Sequence, residues 1–194
     1  MSSITVVPGW GEGKRQMREA VQGLNLAGIK TSYSRSVARN KPYDTIVAHS
    51  GGTYQYWSHI QATHLILVAP PWHTLGRFTT AELSRRVKSR RRDRVSKPSV
   101  YESLRFLASI RSTLRHSRAV REIDLLGELT GWLEQDKKRH IDLVIYRNDV
   151  WTDPEIQHDF TVLPRLSMTV LDGHHDDLHR RPRELIRLIA KKLT

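Results

Sequence analysis

Asp44-Thr45-Ile46-Val47-Ala48-His49-Ser50-Gly51-Gly52 is an apolar run that stops abruptly at a serine set among small residues. Asp44 to Ala48 reads as a short buried strand, and the stretch Thr53 to Gln61 carries Tyr54, Trp57 and Ile60 at helical spacing. A strand that turns sharply into a helix holds the residue at the turn in a strained backbone conformation, so only small side chains fit two positions to either side. Ala48 and Gly52 occupy those positions. Ser50, at the turn itself, is the candidate nucleophile.

This stretch resembles the nucleophile elbow of the α/β-hydrolase family, Gly-x-Ser-x-Gly, written here Ala48-His49-Ser50-Gly51-Gly52 with alanine in place of the first glycine. The resemblance implies a mostly parallel central sheet of about six strands flanked by helices, with the functional groups gathered at the carboxyl ends of the strands. The rest of the chain follows that layout.

Ile4 to Pro8 is a β-branched run that stops at Gly9-Trp10-Gly11-Glu12-Gly13 and enters an amphipathic helix carrying Met17, Ala20, Val21 and Leu24 on one face. In the family a glycine loop after this first central strand supplies backbone N–H groups to an oxyanion. The resemblance therefore assigns the oxyanion donors to the amides of Trp10 and Gly51. Gly28 ends the helix and Ile29 to Ser34 reads as a second strand. Arg35 to Tyr43 is too short for a full crossover helix, which implies a loop and a trimmed form of the fold, without the family's first two antiparallel strands. His64 to Ala69 is a continuously apolar strand closed by Pro70-Pro71, as expected of a sheet covered on both faces.

Two further strand ends carry chemistry. Ile141 to Tyr146 is followed by Asp149 and Asp153, either of which could accept the ring N–H of a histidine. The family's strand-turn-acid pattern followed by proline favours Asp149, with Asp153 the alternative. Leu166 to Leu171 opens into Asp172-Gly173-His174-His175-Asp176-Asp177. A histidine after the last strand is the third member the resemblance implies, His175 preferred and His174 the alternative. Ser50, Asp149 and His175 then stand in the family's chain order, each just past an apolar strand. Trp10, Trp72 and Trp151 flank these strand ends, and Trp72 and Trp151 are candidates for an apolar acyl pocket. A closing helix, Pro182 to Leu193, buries Leu185, Ile189 and Leu193.

Between the strand after Ser50 and the strand bearing the acid lies an insertion, residues 72–139, where the family commonly carries a cap. Residues 1–71 and 140–194 are expected to form the core. The insertion holds 17 lysines and arginines against 8 acids, +9 of the chain's net charge of +12. Thr79-x-x-Glu82 and Ser99-x-x-Glu102 are capping boxes, Val100, Leu104, Leu107, Ala108 and Leu114 trace one helical face, and Val120, Ile123, Leu126, Leu129 and Leu133 another. The first of these helices carries Arg85, Arg86, Lys88, Arg90, Arg91, Arg92, Arg94 and Lys97. Such a run is either a solvated face or an attractor for an anionic substrate, a lipid surface or a nucleic acid. No aromatic residue interleaves with it, so base stacking lacks support.

A chain of 194 residues with 38% hydrophobic residues supports one domain with a sizeable core. It has no run long enough to span a bilayer and no leader pattern at its start, so a soluble cytoplasmic protein is expected. Zero cysteines exclude disulfides, thiol catalysis and zinc-thiolate sites. The histidines and acids of the 172–179 loop lack a spaced ligand motif, so no metal and no cofactor is called for. The expectation is a serine hydrolase that cleaves an ester or thioester of a small-molecule acyl substrate through an acyl-enzyme. The alternative is a catalytically silent scaffold that binds nucleic acid or an acidic partner through its basic cap.

Overall fold

The computed structural model describes residues 3–9, 14–71, 123–149, 152, 156–175, 177–180 and 182–193. Six strands, β1 (Ser3–Val7), β2 (Lys30–Tyr33), β3 (Tyr43–His49), β4 (Ala62–Val68), β5 (His140–Tyr146) and β6 (Leu166–Leu171), form one sheet in the order β2-β1-β3-β4-β5-β6. Every pairing is parallel. The central strands are apolar on both faces because both faces are covered: Leu65, Ile66, Leu67 and Val68 on β4 are all fully buried.

Helix α1 (Lys14–Leu26), the short helix α4 (Asp177–Arg180) and the closing helix α5 (Arg183–Leu193) cover one face. Met17, Ala20 and Leu24 from α1, with Leu185 and Ile189 from α5, join Val6, Val47, Ile66, Val68 and Val144 in one apolar cluster. These side chains recur at three- and four-residue steps, as a helix resting one stripe on a sheet requires. Leu193, expected to be buried, is only partly so and packs at the edge of this cluster.

The other face is covered by α2 (Leu125–Glu134) and α3 (Ile156–Phe160). Asp124 caps α2, its carboxylate accepting from Gly127 N at 3.1 Å. Leu125, Leu129, Trp132 and Leu133 lie in the same cluster as Ile46, Leu65, Leu143, Trp57 and Phe160. Burial of each such side chain stabilises the fold by about 1.5–3 kcal/mol. This helix therefore belongs to the core, and the core resumes at Ile123 rather than at residue 140. The remainder of the expected cap, residues 72–122, lies outside the described residues.

The segment after Ser50 differs from expectation. In place of a helix over 53–61 there are two short 3-10 turns, Ser50–Thr53 and Trp57–His59. Tyr54, Trp57 and Ile60 are buried as their spacing implied, but twelve residues must carry the chain from the end of β3 to the start of its parallel neighbour β4. That is close to the minimum for a parallel crossover, and the chain spans it in two 3-10 turns. Side chains hold the turns: Thr53 Oγ1 donates to Ser50 O at 2.7 Å, and Trp57 Nε1 donates to Thr53 O at 2.8 Å. The connection from β2 to β3 carries no helix, as its length required. No described helix is long and apolar enough to cross a membrane.

Candidate active site

The strand order reverses between β1 and β3, since β2 lies on one side of β1 and all later strands on the other. In open parallel sheets the crevice at such a switch, beyond the carboxyl ends of the strands, is where ligands bind. Ser50 is the first residue after β3, and Pro8-Gly9 follow β1 at the same crevice.

Ser50 has φ of 50°, a left-handed conformation unusual for a residue with a side chain. The strain comes from the direct passage of an extended strand, with His49 at φ −108° and ψ 139°, into a 3-10 turn. Its consequence is a hydroxyl projecting from the apex of the turn. Gly52 is obligatory here: a Cβ at this position would lie 2.3 Å from Pro8 O and 3.1 Å from Val7 O. The elbow and the end of β1 are thus in backbone contact. Gly51 stands in the first positions of the 3-10 turn, where amides have no acceptor within the turn itself.

The loops after β5 and β6 are tied together. Arg147 N donates to Leu171 O at 2.9 Å and Asn148 N to Gly173 O at 3.0 Å, which extends the pairing of the two strands past their ends. Gly173, at φ 151°, lets the chain turn where a Cβ would lie 2.3 Å from Asp177 Oδ2. The turn delivers His175 to Ser50.

His175 Nε2 lies 2.7 Å from Ser50 Oγ, and His175 Nδ1 lies 2.8 Å from Asp149 Oδ2. A carboxylate only accepts, so Nδ1 carries the ring proton and Nε2 is free to accept from the serine hydroxyl. Both residues are buried, and the Asp149 side chain has no exposed surface. Thr152 Oγ1 lies 3.0 Å from Asp149 Oδ2 and 3.0 Å from Pro70 O. Its single hydrogen is shared between the two, tying the acid loop to the end of β4. Below the pair, fully buried His49 donates from Nε2 to the carbonyl oxygen of His175 at 3.1 Å, with ring centroids 5.2 Å apart.

The structure thus brings together Ser50, His175 and Asp149 from three separate strand ends, with Gly51 beside them. It does not bring His174, the alternative histidine, to the serine: His174 is exposed and its backbone N–H donates to Asp177 Oδ2 at 2.9 Å. The alternative acid Asp153, the oxyanion candidate Trp10, the pocket candidates Trp72 and Trp151, and Arg85, Arg86, Arg90, Arg91 and Arg92 all lie outside the described residues. Sequence reasoning missed two participants, His49 and Thr152. A histidine immediately before the elbow serine was visible, but its target is a backbone carbonyl 126 residues away.

No family model matches the sequence, and no curated protein matches it. Solved structures do. A carboxylesterase of Nitrososphaera gargenis superposes with a TM-score of 0.64 at 12% identity, over 99% of this chain and 89% of the other. A membrane phospholipase A described as a bacterial virulence factor gives 0.65 at 15% identity, over 99% and 78%. The thioesterase domain of the curacin biosynthetic pathway gives 0.56 at 15% identity, over 97% and 90%. A structure described as an α/β hydrolase from a lagoon-sediment metagenome gives 0.57 at 15% identity, over 98% and 89%. With an all-parallel sheet, helices on both faces and a strained elbow after the strand at the switch point, this chain has the α/β-hydrolase fold.

Proposed function

We propose that the protein is a serine hydrolase that cleaves an ester or thioester through Ser50, His175 and Asp149. The observation that carries this reading is the pair of contacts from Ser50 Oγ to His175 Nε2 and from His175 Nδ1 to Asp149 Oδ2, made on a serine in left-handed backbone. Structures of similar fold bear the names carboxylesterase, phospholipase and thioesterase, which supports an acyl carbonyl as the reacting group.

In this mechanism His175 Nε2 takes the hydroxyl proton as Ser50 Oγ bonds to the acyl carbon. Negative charge moves to the carbonyl oxygen, where the amide of Gly51 and that of Trp10 donate to it. The tetrahedral centre collapses, the bond to the leaving oxygen or sulfur breaks, and the imidazolium returns its proton to that atom. Water, deprotonated by the same Nε2, then attacks the acyl-enzyme and frees Ser50. Asp149 stays ionised throughout and stabilises the transient imidazolium. Trp72 and Trp151 are proposed to wall the acyl pocket. Arg85, Arg86, Arg90, Arg91 and Arg92 are proposed to attract an anionic substrate or surface. The hydrogen-bonded relay favours this reading over a silent scaffold, which would have no need to keep three residues from distant strand ends in register.

A fluorophosphonate probe tests the proposal without requiring the natural substrate. Wild type is expected to label covalently and Ser50→Ala, folded by circular dichroism, is not. A folded wild type that fails to label, or a Ser50→Ala variant that labels equally, overturns it.

A further inference from the structure

A second cluster of polar side chains sits at the opposite, amino-terminal end of the sheet. His64 on β4 is in register with His140 on β5, and Asp142 lies two residues further along β5 on the same face. The ligand-capable atoms of these three residues all lie within 4.8 Å of one another. The two imidazoles stack with centroids 3.8 Å apart, and His64 Nε2 lies 2.7 Å from Asp142 Oδ2. His64 and Asp142 are buried, whereas His140 is exposed and gives the cluster an open side. Ser50 follows β3 five residues past Thr45, the partner of His64, so the cluster is roughly 17 Å from the serine at the usual strand rise and spacing.

We propose that His64, His140 and Asp142 form a binding site for a divalent transition-metal ion of the zinc class. Two imidazoles and one carboxylate are a borderline donor set, suited to Zn²⁺ and its neighbours rather than to Mg²⁺ or Ca²⁺, which demand oxygen. The two carboxylate oxygens have separate partners. Oδ1 is held by Lys192 from α5 and by Ser167 from β6, which leaves Oδ2 as the oxygen directed at the histidines. A ligating carboxylate steadied by outer hydrogen bonds is the arrangement that metal sites use. On binding, the ion replaces the proton that now lies between His64 Nε2 and Asp142 Oδ2, and that proton moves to Nδ1. The His140 ring tilts out of its stack to complete the third bond, and solvent on the exposed side supplies the fourth. Such an ion would join the amino ends of β4 and β5. Its place in the fold gives it a structural role, independent of the reaction at Ser50.

The test is titration of the intact protein with Zn²⁺ near neutral pH, followed by calorimetry and by thermal unfolding. It is run on wild type, His140→Ala and His175→Ala. The His140 substitution is on the exposed side and spares the fold, while His175→Ala removes the other histidine cluster. The proposal expects one saturable site in wild type, kept in His175→Ala and weakened at least about tenfold in His140→Ala, with a rise in melting temperature only where the site is intact. Asp142→Asn, checked for folding, should weaken binding similarly. Absence of saturable uptake, uptake unchanged by His140→Ala, or uptake lost only in His175→Ala overturns it. The cluster would then be a polar tie between β4, β5, β6 and α5.

Discussion

Thr152 and Gly52 show how single residues outside the proposed triad set the geometry of the candidate site. Thr152 Oγ1 stands 3.0 Å from the same Asp149 oxygen that receives the ring proton of His175. Thr152→Val keeps the shape and removes the hydroxyl. A hydrogen bond to a charged group is worth about 1.5–3 kcal/mol, of which only part is felt at the transition state. We therefore expect kcat on a p-nitrophenyl ester to fall roughly threefold to tenfold with KM little changed. An equal rise in KM would instead indicate a distorted pocket. Gly52→Ala forces a methyl group against Pro8 O, which is backbone and cannot swing aside. A loss of about 1–3 kcal/mol is expected from the shift in urea midpoint, accompanied by reduced activity because Ser50 rides on the same turn. As candidates, Ser50, Asp149 and His175 could be picked out because each lies within a few residues of the end of an apolar strand and the family resemblance implies a serine, an acid and a histidine in that order. Thr152 could not, because its second partner, Pro70, is 82 residues away and only the folded sheet brings them together.

At the scale of elements, strand periodicity was read within a residue or two, and the post-serine segment shows where such reading stops. Tyr54, Trp57 and Ile60 are buried as a helical stripe would be, yet they sit on two 3-10 turns. Spacing reports which residues face the core. The distance the chain must bridge decides the backbone that carries them, and that distance depends on which strands pair. Tyr54 makes this segment testable. Burial pushes its phenol well above the usual range, and its hydroxyl donates to Pro71 O. The folded state therefore holds the proton after the unfolded chain has released it. Stability is full below a pH of about 10 and is lost as pH rises beyond it, by up to about 1.4 kcal/mol per pH unit for one such group. Tyr146, raised by burial and by nearby Asp177, Asp149 and Glu184, adds to the same slope. Urea midpoints between neutral and strongly alkaline pH should fall less steeply in Tyr54→Phe than in wild type. Parallel slopes would mean that Tyr54 ionises as readily in the folded protein as in the unfolded one.

For the whole molecule, the switch in strand order between β1 and β3 fixes where the candidate site lies, and net charge bears on what would approach it. A mostly parallel sheet was legible because strands alternate with helices and the central strands are apolar on both faces; that every pairing is parallel came from the fold. The extent of the core was not legible, because the amphipathic helix at 125–134 has the same sequence pattern whether it packs on the sheet or in a cap. Net charge is a different kind of information, readable from sequence and insensitive to fold. Of the +12 total, +9 falls in residues 72–139. If this excess steers substrates toward the serine, it acts on the encounter step, so it should appear in kcat/KM and respond to ionic strength. Raising salt from about 0.01 M to 1 M shortens the screening length from about 30 Å to 3 Å. We expect kcat/KM for an ester with an anionic acyl chain to fall severalfold over that range, while a neutral ester of equal length changes little. Replacing Arg90, Arg91 and Arg92 by serine should flatten the anionic curve and leave the neutral one unmoved. Two curves of equal slope in wild type would show instead that the basic run serves solvation, and would remove negative charge from the features by which this site selects its substrate.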